Sequence, residues 1–282
     1  TKLRERILEV GWLLSVFRRW RREHTEDEAV VSNRRLAALK ALRVEDLLHP
    51  ISPESPSGHD VRYEPVYDEM RAELKHLRTP LGPLTLLELP SEEHLTSVRR
   101  LAEDVLRRRS KDLNVAAWLT ELWMRLEGAK GLVAGLELQR RLLEDFWDDV
   151  HPRLELGDPE LRLTPLVWTA KHLAPSLVEM PVTKAGHTCA EALRILRSPD
   201  VAPQDVATLR STIEASGLLT DLDLATEATE ALERATNDRF TAHLWEAAPY
   251  GMWPDFHVLR DGLTSLSGRL RTHLTPSLGN GG

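Results

Sequence analysis

The sequence predicts an all-α fold: a multi-helix, antiparallel, bundle-like domain with an extra N-terminal amphipathic helical segment. Three observations predict it. Leu, Ala, Arg and Glu dominate while β-branched residues are sparse, which favours helix over strand. Apolar residues recur at spacings of three and four in segment after segment, as in helices that bury one face. Short turns separate the central segments, which suits antiparallel neighbours.

The first segment, TKLRERILEVGWLLSVFRRWRRE, places Leu3, Ile7, Val10, Leu14 and Phe17 on one helical face. Arg18, Arg19, Arg21 and Arg22 follow, suited to the negative end of the helix dipole. Packing on its own domain or on another helix is the plainer reading. Trp12 and Trp20 among those arginines also suit contact with an anionic membrane surface through residues 1–24. A second helical pattern covers residues 32–42, and Pro65 opens a third whose stripe is Val66, Met70, Leu74 and Leu77. Prolines and a glycine make residues 78–90 an irregular connection.

Ser91 is then an N-cap, followed by Glu92 and Glu93, with Leu95, Val98, Leu101 and Val105 facing inward. Ser110 or Asp112 caps the next helix, and Gly128 stops it. A helix over roughly residues 130–147 completes three antiparallel neighbours. Asp148 and Asp149 fall where it should end, although acidic groups are disfavoured at a helix C-terminus. Either they face nearby arginines or the helix stops earlier; a charge-paired reversal before His151-Pro152 is the structural reading and a partner contact the other. Asp158-Pro159 and Thr164-Pro165 each predict a short helical start. PSLVEMPVTKAGH reads as extended or irregular, with room for one short strand, and helical patterns return at 188–197, 203–216, 220–236 and 254–274. SLGNGG reads as a flexible tail or linker.

At 282 residues, 41% hydrophobic and 29% charged, the chain has the make-up of a globular domain with a substantial core. A net charge of −7 argues against a dedicated nucleic-acid binder. One cysteine, Cys189, forms no internal disulfide, which points to a reducing cytoplasm, and its flanks lack zinc-ligand spacing. No apolar run long enough for a transmembrane helix and no signal peptide is evident. Phosphate-loop, dinucleotide, HExxH, paired CxxC and GxSxG signatures are missing, so no cofactor or metal is expected.

The stretch HPISPESPSGHDVRYEP, residues 49–65, sets Ser57, His59 and Asp60 almost side by side. A catalytic triad is assembled from distant segments, and close neighbours rarely align. Pro50, Pro53 and Pro56 stiffen the loop, Gly58 permits a turn and Asp60 suits local backbone amides, so a structural turn or contact surface is expected.

Four blocks carry a resemblance: LLHPISPESPSGHDVRYEPVYDEM, RRRSKDLNVAAWLTELWMRLEG, GLVAGLELQRRLLEDFWDDVHP and GDPELRLTPLVW. In order and separation they resemble the ImpA-like N-terminal domain of TssA proteins from bacterial type VI secretion systems. The likeness covers about residues 45–275, with 1–44 as a helical extension and 276–282 as a tail. It implies a helical, cytoplasmic, non-enzymatic assembly factor, placed in part at the cytoplasmic face of the inner membrane. The partners it implies are baseplate, sheath or tube, and membrane-complex proteins. Homo-oligomerisation, which in the family belongs mainly to a C-terminal region, stays open; the chain is expected to be a piece of a longer protein or a shorter relative. Asp60, Arg62, Tyr63, Tyr67, Ser110, Lys111 and Asp112 occupy motif positions, as do Trp118, Phe146, Trp147, Asp148, His151 and Pro152. Most are expected to hold the fold together, some to form a contact face, and none to be catalytic.

Overall fold

The computed structural model describes residues 32–78, 91–154, 160–183, 186–244 and 253–274. The N-terminal segment with Trp12, Arg18, Arg19, Trp20, Arg21 and Arg22 lies outside the described residues, as do the connection 79–90, Asp158-Pro159 and the tail. Among the described residues the chain is helical, with isolated β-bridges in place of strands.

Helix α1 spans 32–41, α2 Val44–Leu48, α3 Pro65–Arg78 and α4 Glu92–Arg108. Helices α5 (Leu113–Glu127) and α6 (Ala129–Asp145) follow, then α7 (Glu160–Ser176), α8 (Cys189–Arg197), α9 (Pro203–Ser216), α10 (Leu218–Leu244) and α11 (His257–Leu274). Local chemistry sets several of these ends. Ser91 Oγ accepts the His94 amide at 3.2 Å, and Thr188 with Glu191 closes a capping box at the start of α8. Pro203 opens α9 at its first turn.

α5 and α6 form the centre, flanked by α4 and α7 on α5 and by α10 on α6, while α11 packs on α7 and α10. The α5–α6 pair is close because α6 carries glycine where it crosses α5: a Cβ on Gly131 would lie 2.0 Å from the Trp123 carbonyl oxygen. Trp123 is wholly buried and donates its indole N–H to Glu103 at 3.1 Å, tying α5 to α4. A buried polar bridge crosses the same layer. Gln139 donates to Thr120 and accepts from Thr169, each at 2.8 Å, so its amide is satisfied at both ends.

Residues 32–44, assigned to the N-terminal extension, pack on the body: Arg34 binds Asp221 and the Ser216 and Gly217 carbonyls, and Arg35 reaches Glu137. Ala38, Leu42 and Val44 are buried.

Four local expectations change. The helix drawn to residue 147 ends at Asp145, with Phe146 as its cap. The separate start expected at 164 gives way to the interior of one helix, α7, with Pro165 inside it. Thr164 does not cap; its hydroxyl bonds back to the Glu160 carbonyl at 2.9 Å. Proline removes one backbone bond there, and burial of Leu163, Leu166, Ala170 and Leu173 along α7 outweighs it. The described part of residues 175–187 holds the end of α7, a 3-10 turn at Leu177–Glu179 and one side of a single bridge between Pro181 and Thr188, with no strand among the described residues. α10 outruns its predicted span at both ends. α6 and α10 also run in the same direction, since Arg239 reaches the Glu144 carbonyl near both C-terminal ends. Such pairing needs a long crossover, supplied by α7–α9.

Candidate interaction site at the loop junction

Three irregular segments meet at one end of α4–α7: residues 49–64, the α4–α5 turn at 109–112 and the α6–α7 loop from 146. Backbone bonds join them. The Lys111 amide donates to the Ser57 carbonyl at 2.8 Å and the His59 amide to that of Arg109 at 3.1 Å. The His151 amide donates to Lys111 and the Leu113 amide to His151, at 2.9 and 2.8 Å. Gly58, at φ +71°, brings the first loop so near that a Cβ there would lie 2.0 Å from the Arg109 carbonyl oxygen.

The serine, histidine and aspartate of this loop turn to different partners. Ser57 donates its hydroxyl and its amide to Asp149, at 2.8 and 3.1 Å. His59 pairs with Glu64. Asp60 accepts from Arg62 Nε at 2.7 Å and from the Arg62 amide at 2.9 Å. Burial pushes the Asp60 carboxyl up, but the Arg62 bonds outweigh it and hold the group below the usual carboxylate range.

Residues 110–112 are extended, so neighbouring side chains take opposite sides. Lys111 turns into the core, where its ammonium donates to the Leu47 and Leu106 carbonyls at 2.6 Å each and lies 5.7 Å from the Phe146 ring centre. Burial, with Arg107 nearby, pushes it down to about 8. Asp112 caps α5: its Oδ1 accepts the Asn114 and Val115 amides at 2.8 and 3.1 Å. Its Oδ2 is buried with no partner among the described residues, as are Ser110 Oγ and His151 Nδ1. Burial pushes the Asp112 carboxyl up to about 7 against the pull of its two amide bonds, and pushes the His151 imidazole down.

The sign of the Asp112 effect is testable. Its carboxyl titrates near 4 when unfolded and near 7 when folded, so the native state holds the extra proton between those values. Its contribution to stability is therefore fully present below about pH 4 and is lost as pH rises through 7. Asp112→Asn keeps an accepting oxygen on α5 and removes the charge. We expect it to match the wild type within about 1 kcal/mol at pH 4 and to become the more stable of the two as pH rises to 7, because only the wild type loses stability across that window. Asp112→Ala loses the cap and should cost about 1–2 kcal/mol at pH 4. Urea melts across that pH range check both.

The structure brings the motif residues together around this junction. Tyr67, Lys111, Asp112, Trp118, Trp147 and His151 are buried, with the Tyr67 and Trp118 ring centres 4.7 Å apart and Trp147 edge-on to Phe240 at 5.0 Å. Asp60 and Arg62 are half-buried at the rim, and Asp148 is exposed. Tyr63 is 87% exposed. Sequence reasoning missed Arg162. This buried side chain donates to the Trp147, Val150 and Pro152 carbonyls at 2.7, 2.8 and 2.9 Å, with its guanidinium carbon 4.9 Å from the Trp147 ring centre. An arginine three residues into a helix, between leucines, carries no signal of such a reach. Cys189 is buried, and burial pushes its thiol up to about 12. Among the described residues no three His, Cys, Asp or Glu side chains are grouped to hold a metal ion, and no helix is long and apolar enough to cross a membrane.

An all-α domain whose buried charges clasp the segments between its helices, with an exposed tyrosine and arginines beside them, defines a helical packing module. Residues 48–171 match the family described as ImpA, N-terminal, type VI secretion system. The chain is 32% identical over 216 residues to "Type VI secretion system component TssA1" of Pseudomonas aeruginosa, across 70% of this chain and 62% of that protein's length. It is also similar to a solved structure, the N-terminal domain including the conserved ImpA_N region of the TssA component from Burkholderia cenocepacia. That likeness has a TM-score of 0.60 at 25% identity and covers 83% of this chain and 94% of the other. The chain therefore carries the ImpA-type N-terminal domain of the type VI secretion TssA family.

Proposed function

We propose that this chain is a non-enzymatic assembly module of a type VI secretion machine, working in the cytoplasm by binding baseplate, sheath or tube, or membrane-complex proteins. The observation that carries the reading is the 216-residue similarity to a type VI secretion component. The junction supports it from the chemistry side. Ser57, His59 and Asp60 are each bound to a separate partner, and the buried ionisable groups cap a helix or brace loop carbonyls.

The test is a crosslinked pull-down with mass spectrometry from the source bacterium while its secretion machine is active. Enrichment of baseplate, sheath or membrane-complex subunits, with crosslinks on residues 45–275, is the expected result; recovery of none would overturn the reading. A membrane-surface adaptor is favoured by one observation, the basic run RRWRR after an amphipathic pattern. Liposome flotation separates it: loss of flotation on deleting residues 1–24 supports the adaptor, and equal flotation removes it.

A further inference from the structure

A cleft of about 490 Å³ opens beside the junction, between residues 58–62 and 151–154. Its walls include His59, Asp60, Arg62, His151, Arg153 and Leu154. Its acids are already engaged: Asp60 is held by Arg62, and Glu64 at the rim is shared by His59 and Arg109. Arg153 is exposed, and among the described residues no carboxylate pairs with it. His151 forms part of the wall at 2% exposure; its Nε2 faces the Gly58 carbonyl at 3.3 Å, and its buried Nδ1 has no partner among the described residues. With Nε2 as the donor, Nδ1 is an acceptor awaiting an N–H. Tyr63 stands exposed next along the chain, its ring centre 5.8 Å from the Arg62 guanidinium. Tyrosine and arginine are among the residues enriched where protein contacts concentrate their energy.

Resting on the assembly reading above, we infer that this cleft receives an acidic segment of a partner protein, one carboxylate on Arg153 and an apolar neighbour against Tyr63 and Leu154. Charge complementarity selects this occupant. The chain as a whole carries −7, so an acidic segment is repelled by most of the surface and attracted to Arg153, an exposed cation with which no carboxylate of the described residues pairs.

Fluorescence anisotropy on the full chain tests this with two short fluorescein-labelled peptides, one alternating glutamate and leucine, the other lysine and leucine. The acidic peptide should bind, more weakly as salt rises. Arg153→Glu should weaken it at least about tenfold and favour the lysine peptide, and Tyr63→Ala should weaken it about tenfold. Arg153→Gln, read beside a circular-dichroism melt, guards against a folding defect. Equal binding of the two peptides, no binding of the acidic one, or unchanged affinity in Arg153→Glu each overturns the inference. Repeating the pull-down with Arg153→Glu separates the two proposals. Machine subunits recovered at wild-type levels sink the cleft and leave the assembly role standing, whereas no recovery even by the unaltered chain sinks that role.

Discussion

Replacing Arg162 by methionine is expected to lower stability by about 3–5 kcal/mol: three carbonyls left without a donor cost about 1–3 kcal/mol each, offset in part by no longer burying a charge. Arg162 is 1% exposed, and its guanidinium donates to three carbonyls of the α6–α7 loop, at Trp147, Val150 and Pro152. A methionine fills much of the same space but donates nothing, so these carbonyls lose their partner away from water. Burial pushes the guanidinium down to about 10, partly offset by Asp148 and Asp149, so it stays charged at neutral pH. Arg162→Lys keeps the charge yet replaces a planar fork by a point donor, and should recover less than half of the loss. Thermal melts read the result as a fall of very roughly 6–20 °C, taking about 2–4 °C per kcal/mol for a chain of this size. A change within 1 kcal/mol, on the same footing, would mean that the loop finds other donors. Trp147 and His151 share this loop, so the variant also tests whether the junction depends on it.

The contrast between Arg162 and Asp112 shows what a sequence discloses. Asp112 bonds amides two and three residues ahead, so a cap before an apolar periodicity is visible in the letters. Ser91 was legible for the same reason, and the apolar spacing gave the inward face of α4. Arg162 acts across a loop with no repeating pattern, and Ser57 meets Asp149 from 92 positions away. Pro165 misled because its local meaning, a first helical residue, was overridden by burial along α7. The parallel course of α6 and α10 is set by packing at long range, which periodicity does not encode. As for the candidate site, the motif blocks marked where chemistry concentrates. They did not say that Lys111 points inward, that Tyr63 points out, or that Arg153 stands at the cleft.

Lys111→Met should have an effect that grows with pH. The ammonium is buried with no carboxylate of the described residues paired to it, supported by the Leu47 and Leu106 carbonyls and by the face of Phe146. Two opposing terms meet at pH 7: methionine leaves both carbonyls without a donor, but it also removes a charge that is costly to bury. We expect a net loss of only about 1–2 kcal/mol there. The balance shifts at alkaline pH. The amine titrates near 8 in the folded chain and near 10.4 when unfolded, so between those values the unfolded state binds more protons. Stability contributed by Lys111 therefore rises with pH through this window, and the full cost of its charge is present below 8. At about 1.4 kcal/mol per pH unit, the gap between wild type and Lys111→Met should widen by about 3 kcal/mol by pH 10.5. Taking the difference between the two proteins cancels the other groups that titrate there, Tyr67 included, whose phenol burial raises. Guanidinium melts at pH 7, 8.5 and 10 would show it. A constant gap would mean that the ammonium is not desolvated, and that the Lys111 bonds to the Leu47 and Leu106 carbonyls lie within reach of water.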